Sequence, residues 1–152
     1  MTMSAFMAFL HHVAAFALVA AIAVELVLVK PPIDVERARK LQLADLATGL
    51  SAGAVLVVGM LRVLYFEKGA GYYFQNAAFL AKLSLFVLVA LLSIYPTLRF
   101  MSWRSSVKRG EAPNVDAATL RTIRRFLHIE LAGIVLLILC AALMARGIGM
   151  LV

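Results

Sequence analysis

The amino-acid sequence places ionisable side chains inside its most apolar segments. Eight such residues share this setting: His11, His12, Glu25, Asp45, Arg62, Lys82, His128 and Glu130. A charged side chain at the centre of a bilayer costs ~2.5–3.5 kcal/mol or more, so intramembrane ionisable groups mark functional sites by default. Imidazoles are typical ligands of metals and haem, Arg and Lys anchor anionic groups, and buried carboxyls transfer protons.

These residues lie in four long apolar runs, which the sequence predicts to be membrane-spanning helices. The runs cover residues 5–29, 41–66, 77–101 and 121–146. Each meets the ~20 residues that a helix needs to cross ~30 Å of hydrocarbon. The chain is 64% hydrophobic over 152 residues, above the ~45–50% of soluble domains. Short connections then predict an all-α membrane protein, with one domain (1–152) folded as an antiparallel four-transmembrane-helix bundle.

The distribution of basic residues predicts the orientation of the bundle. Lys and Arg are concentrated in the first and third connections, whereas the middle connection has only Lys68. By the positive-inside rule, the first and third connections are cytoplasmic and both termini lie outside. The net charge of +7 therefore reflects topology and anionic lipid headgroups, and no nucleic-acid partner is expected. We expect a multi-pass membrane protein.

Helical periodicity predicts which side chains face the bundle interior. His11 and Glu25 share one face of the first helix, Arg62 follows the polar face of the second, and Lys82 and Glu130 mark the faces of the third and fourth. His12 is turned ~100° from His11, so only one of the two is expected to face inward. Gly49 and Gly53 form a small-xxx-small pair suited to close helix contact.

Depth divides these residues into two layers. His11, Arg62 and Lys82 are expected toward the outer surface, and the cytoplasmic layer contains Glu25, Asp45, His128 and Glu130. Counting residues from the helix midpoints separates His11 from His128 by ~20 Å at 1.5 Å per residue. One iron atom therefore cannot bind both histidines.

The outer layer is suited to a b-type haem. His11 (with His12 as the alternative) would be the axial ligand, Arg62 would neutralise a propionate, and Lys82 would act as ligand or propionate partner. Ala14, Gly53 and Gly59 would make room for the ring, and a second haem near His128 is left open. Glu25 and Glu130 are candidate proton relays.

Three segments also resemble a known group of small membrane bundles. The segments LHHVAAF, FLAKLSLFVLVALLSIYP and RFLHIELAGIVLLILCAAL resemble the first, third and fourth helices of HemJ-type protoporphyrinogen oxidases and the broader CopD-like group. A closer likeness is to a family of bacterial four-helix membrane proteins with no assigned chemistry. The HemJ resemblance implies an oxidoreductase with haem b and a membrane-soluble porphyrin or quinone as substrate. It matches His11 or His12 to the haem ligand, Lys82 to the third-helix lysine and Glu130 to the fourth-helix acid.

Two other interpretations stay open. The first is copper binding by Met3, Met7 and His11, which recur on one helical face, because thioethers and imidazole suit Cu(I). Further methionines toward the outer side are Met60, Met144 and Met150. The second is a cofactor-free accessory subunit, alone or as a homo-oligomer, in which the cytoplasmic carboxylates form ion pairs with the Arg-rich connection.

Overall fold

The computed structural model describes residues 2–66 and 70–148, so Lys68 and Met150 lie outside the described residues. The long helices are α1 (Met3–Leu28), α2 (Val35–Leu61), α4 (Ala77–Ser102) and α6 (Ala117–Ala145), and the short ones are α3 (Ala70–Phe74) and α5 (Arg104–Lys108). A π-helical turn, Arg62–Phe66, continues α2. The four long helices are long and apolar enough to cross a membrane, which confirms the predicted helical membrane bundle.

Each long helix begins at a side chain that caps its first turn. Backbone N–H groups donate to Thr2, Asp34, Asn76 and Asp116, for example Arg37 N to Asp34 Oδ1 at 2.7 Å. Such caps satisfy N–H groups that have no partner within the helix. The Asp34 cap explains why α2 begins at Val35 and not near residue 41, as the apolar pattern predicts.

The bundle consists of two closely packed helix pairs. α1 packs mainly on α2 and α4 mainly on α6, whereas α2 meets α4 and α1 meets α6 over smaller areas. In the second pair Gly133 lies close to α4: a Cβ atom at residue 133 would lie 2.5 Å from Cγ2 of Val89. We call the line where α2 meets α4 the seam.

The predicted helix contact at Gly49 and Gly53 is wrong within the chain. Both residues are exposed, and a Cβ atom added at either would meet no other atom within 4 Å. A small-xxx-small motif permits close approach without specifying the neighbour. It is Gly133 of α6 that brings two helices together.

The two ends of the bundle differ in chemistry. At one end, which we call the cavity end, α1 begins and the π-helical turn ends α2. At the other, which we call the basic end, lie the two connections rich in Lys and Arg. The predicted orientation would place the basic end in the cytoplasm.

Candidate functional site

His11, Arg62 and Lys82 line one cavity at the cavity end of the bundle. They reach it from α1, from the first residue of the π-helical turn and from the second turn of α4. The predicted grouping of these three residues at one depth therefore corresponds to a shared cavity. Sequence reasoning did not anticipate the π-helical turn, an irregularity that is frequent at functional sites.

The imidazole of His11 is closely packed. A Cβ atom at Gly59 would lie 3.0 Å from Cε1 and 3.4 Å from Nδ1 of His11, so the absence of a side chain at residue 59 makes room for the ring. Nδ1 is buried and has no hydrogen-bond partner among the described residues. Buried nitrogens of this kind are uncommon and call for an explanation, such as a ligand.

Two cationic side chains line the cavity. Lys82 and Arg62 both lie close enough to His11 to act on it electrostatically, and they also repel each other. Two cations around an imidazole in an apolar setting favour an anionic ligand over a cationic one.

The remaining walls are apolar and aromatic. Tyr73 and Phe79 contact each other with ring centroids 5.4 Å apart and close one side. Tyr73 is buried. Leu56 is 42% exposed and also lines the cavity, which places the opening along the seam.

The cavity is small. Its volume of about 90 Å³ corresponds to about three water molecules at ~30 Å³ each, whereas pockets for drug-sized ligands span ~300–1,000 Å³. A larger ligand would need α2 and α4 to separate along the seam, where the two helix pairs have less contact.

The other two histidines lie outside this cavity. His12 is exposed, and its Nδ1 lies 2.6 Å from the carbonyl oxygen of Ala8. His128 is exposed near the basic end, with Nδ1 2.7 Å from the carbonyl oxygen of Arg124. The ring of His12 packs edge-on against that of His11, with centroids 6.3 Å apart, but neither His12 nor His128 is among the residues that line the cavity.

The methionines of the copper interpretation differ in their positions. Met3 is 61% exposed on the outside of α1, whereas Met7 is buried. Met60 and Met144 do line the cavity with His11. The described residues contain no cluster of three or more His, Cys, Asp or Glu side chains that would bind a metal ion.

Two carboxyl groups are buried nearer the basic end. Glu25 of α1 and Glu130 of α6 are each 1% exposed. The hydroxyl of Thr48 donates a hydrogen bond to Glu25 Oε1, while Oε1 of Glu130 is buried with no hydrogen-bond partner among the described residues.

Asp45 acts electrostatically on both acids and lines a surface groove. Its Oδ1 accepts a hydrogen bond of 2.6 Å from the hydroxyl of Thr97. Asp45 and Thr97 line a groove of about 480 Å³ beside Arg39 and Arg104. Within the described part of the chain, the ion pairs are Lys40–Glu36 and Arg109–Glu111, so the predicted ion-pair network of the buried carboxylates is wrong for these residues.

Sequence reasoning missed the polar partners of the carboxyls. Thr48 lies on the predicted polar face of α2, but nothing in its local sequence indicates that it meets Glu25. The spacing of Asp45 and Thr48, one turn apart on α2, indicates a shared polar face but not the partner of either residue.

The chain was compared with known proteins. A family model described as "Predicted membrane protein (DUF2214)" matches residues 3–149. No curated protein and no solved structure matches the chain significantly.

Proposed function

Since the chain belongs to the DUF2214 family of predicted membrane proteins, we propose, beyond that membership, that it is a haem b protein of the bacterial inner membrane. Its role would be electron transfer or the oxidation of a membrane-soluble reductant such as a quinone or porphyrin. The observation that carries this proposal is the shared cavity of His11, Arg62 and Lys82. The resemblance of three segments to HemJ-type proteins supports the same assignment.

The side chains of the cavity fit the chemistry of haem b. Haem has an iron that takes an axial nitrogen ligand and two propionates that require cationic partners. The buried Nδ1 of His11 supplies the nitrogen, while the charges of Arg62 and Lys82 complement the propionates. Lys82 is also the candidate for a second iron ligand.

The volume of the cavity is too small for haem. About 90 Å³ is far below what a drug-sized ligand occupies, so the proposal requires α2 and α4 to move apart along the seam. Apolar residues such as Leu56 and Phe86 would then face the ring and exclude water from it.

A bound haem would supply one-electron chemistry at a potential set by its axial ligand and its surroundings. The protein would hold the iron through His11 and keep the propionates at the cavity end through Arg62 and Lys82. The apolar walls would allow a membrane-soluble reductant to approach from the lipid.

His11 and its neighbour His12 provide a matched pair of variants for testing the proposed iron ligand. We expect His11→Ala to abolish haem retention while the protein remains helical and in the membrane. His12→Ala, which removes an exposed imidazole bonded to its own helix, should retain haem at the wild-type ratio. The measurement is the haem-to-protein ratio after purification with supplied haem precursor. Full occupancy in His11→Ala would overturn the proposed ligand.

One observation supports copper as an alternative ligand of the cavity. Met60 and Met144 share the cavity with His11, and thioethers with imidazole suit Cu(I). The cations Lys82 and Arg62 oppose a cationic ligand. Tight Cu(I) binding by the haem-free protein, lost in Met60→Leu, would support this candidate, and failure to bind Cu(I) would exclude it.

A further inference from the structure

Two buried carboxyl groups from different helices lie in the interior of the bundle. Glu25 and Glu130 are each 1% exposed, and Glu25 acts electrostatically on Glu130. The charged groups acting on this pair from the described residues are the two acids themselves and Asp45. No Lys or Arg in the described part of the chain forms an ion pair with any of these three.

An ionised carboxylate without a partner is costly to bury, and a second ionised carboxylate nearby adds repulsion. Among the described residues, Thr48 reduces this cost for Glu25, because it donates its hydroxyl hydrogen to Glu25 Oε1. The buried Oε1 of Glu130 has no such donor among the described residues. A proton held on the pair would relieve both the desolvation and the repulsion.

We propose that Glu25 and Glu130 form a proton-binding site in the interior of the bundle. Asp45 is the residue through which this site exchanges its proton with water at the basic end. Asp45 lines the groove of about 480 Å³ at that end, which is large enough for water. In the exchange step, a hydronium ion in the groove transfers a proton to the Asp45 carboxylate and becomes water. It then passes from the Asp45 carboxyl group to a carboxylate of the pair. This inference depends on the carboxyl groups alone and not on haem.

Infrared spectroscopy of the full-length protein in lipid nanodiscs tests the site. We expect the C=O stretching band of a protonated carboxylic acid at pH 7 in the wild type. The band should be lost or strongly reduced in Glu130→Gln and altered in Glu25→Gln. It should be unchanged in the control Glu36→Gln, whose exposed side chain pairs with Lys40 at 2.6 Å. Absence of the band in the wild type, or its persistence in both variants of the pair, would overturn the proposal.

A variant that keeps both carboxyl groups provides a second test in case the Gln variants misfold. Circular dichroism checks the helical content of each variant. If both Gln variants lose their helices, Thr48→Val removes only the donor to Glu25 and should shift the frequency of the band. An unshifted band in a folded Thr48→Val protein would then count against the site.

Hydrogen–deuterium exchange after transfer into D₂O tests the role of Asp45. The deuterium shift of the same band should appear at least tenfold more slowly in Asp45→Asn than in the wild type. Asp34→Asn serves as the control. It removes a carboxyl group that lies outside the groove, and the new Asn can still cap α2. Equal exchange rates in Asp45→Asn and the wild type would remove Asp45 from the proposal. An equally slow exchange in Asp34→Asn would also remove it, because loss of any carboxyl group would then slow the exchange.

Discussion

The imidazole of His11 lies directly against Gly59, so that a Cβ atom there would come within 3.0 Å of its Cε1 atom. The two residues come from α1 and α2, which form the closely packed first helix pair. The position of the proposed iron ligand is therefore fixed by a residue that has no side chain. This relationship leads to the first prediction.

Gly59→Val should displace the His11 ring and weaken haem binding. Overpacking costs ~1–3 kcal/mol, and 1.4 kcal/mol is tenfold in affinity, so we expect a loss of about tenfold or more. Haem titration of the purified apoprotein measures it. Gly53→Val is the matched control: the sequence suggested that Gly53 makes room for the ring, but the structure leaves it exposed and outside the cavity, and a Cβ atom there meets nothing within 4 Å. Equal affinity in the two variants would contradict the role of Gly59.

Lys82→Met should weaken haem binding through loss of a cation in the cavity. A hydrogen bond to a charged group contributes ~1.5–3 kcal/mol, which predicts a loss of about tenfold to a hundredfold. Lys82→Arg should restore most of the affinity if Lys82 pairs with a propionate. A changed Soret band in Lys82→Arg would instead assign Lys82 to the iron, and wild-type affinity in Lys82→Met would exclude both roles.

Gly133→Ala should destabilise the second helix pair. The new Cβ atom would lie 2.5 Å from Cγ2 of Val89, and overpacking of this kind costs ~1–3 kcal/mol. Thermal unfolding in detergent should show a lower midpoint for this variant, with most of the loss recovered in Gly133→Ala/Val89→Ala. Gly49→Ala, where the added atom meets open space, should stay near the wild type. A wild-type midpoint for Gly133→Ala would contradict the close approach of α4 and α6.

The N-terminus of α6 should lose stability in acid. The hydroxyl and backbone N–H of Thr119 donate to Asp116, and these hydrogen bonds hold the pKa of Asp116 below its ordinary value of 3.8. Because the pKa is lowered on folding, the stabilisation is present above pH 3.8 and is lost as the pH falls through the lowered value.

Asp116→Asn separates capping from titration. Asn is a good N-cap but has no proton to gain, so the acid-dependent loss of stability at this site should disappear in the variant. Amide hydrogen exchange of Thr119 and Leu120 as a function of pH measures the difference. The same acid-dependent opening in both proteins would refute the assignment to Asp116.

Much of the site could be predicted from the sequence because helices in a membrane follow simple geometry. The 100° step between residues separates His11 from His12, and the structure places His11 in the cavity and leaves His12 exposed. Counting residues from the helix ends places Lys82 at the depth of His11. Depth and rotation are local properties of one helix.

The rest depends on which helices meet, and no local pattern contains that information. Gly49 and Gly53 have the motif for close contact, yet Gly133 makes it. Nothing near Thr48 in the sequence indicates its hydrogen bond to Glu25, 23 residues away. The orientation of the bundle in the membrane stays a prediction from the positive-inside rule.

The central claim is tested most directly by the absorption spectrum of the purified protein. The protein should be expressed with haem precursor, purified in detergent and measured in the oxidised and dithionite-reduced states. The account predicts a Soret band that sharpens on reduction together with resolved α and β bands, lost in His11→Ala and kept in His12→Ala. A featureless visible spectrum from well-expressed, helical protein would contradict it.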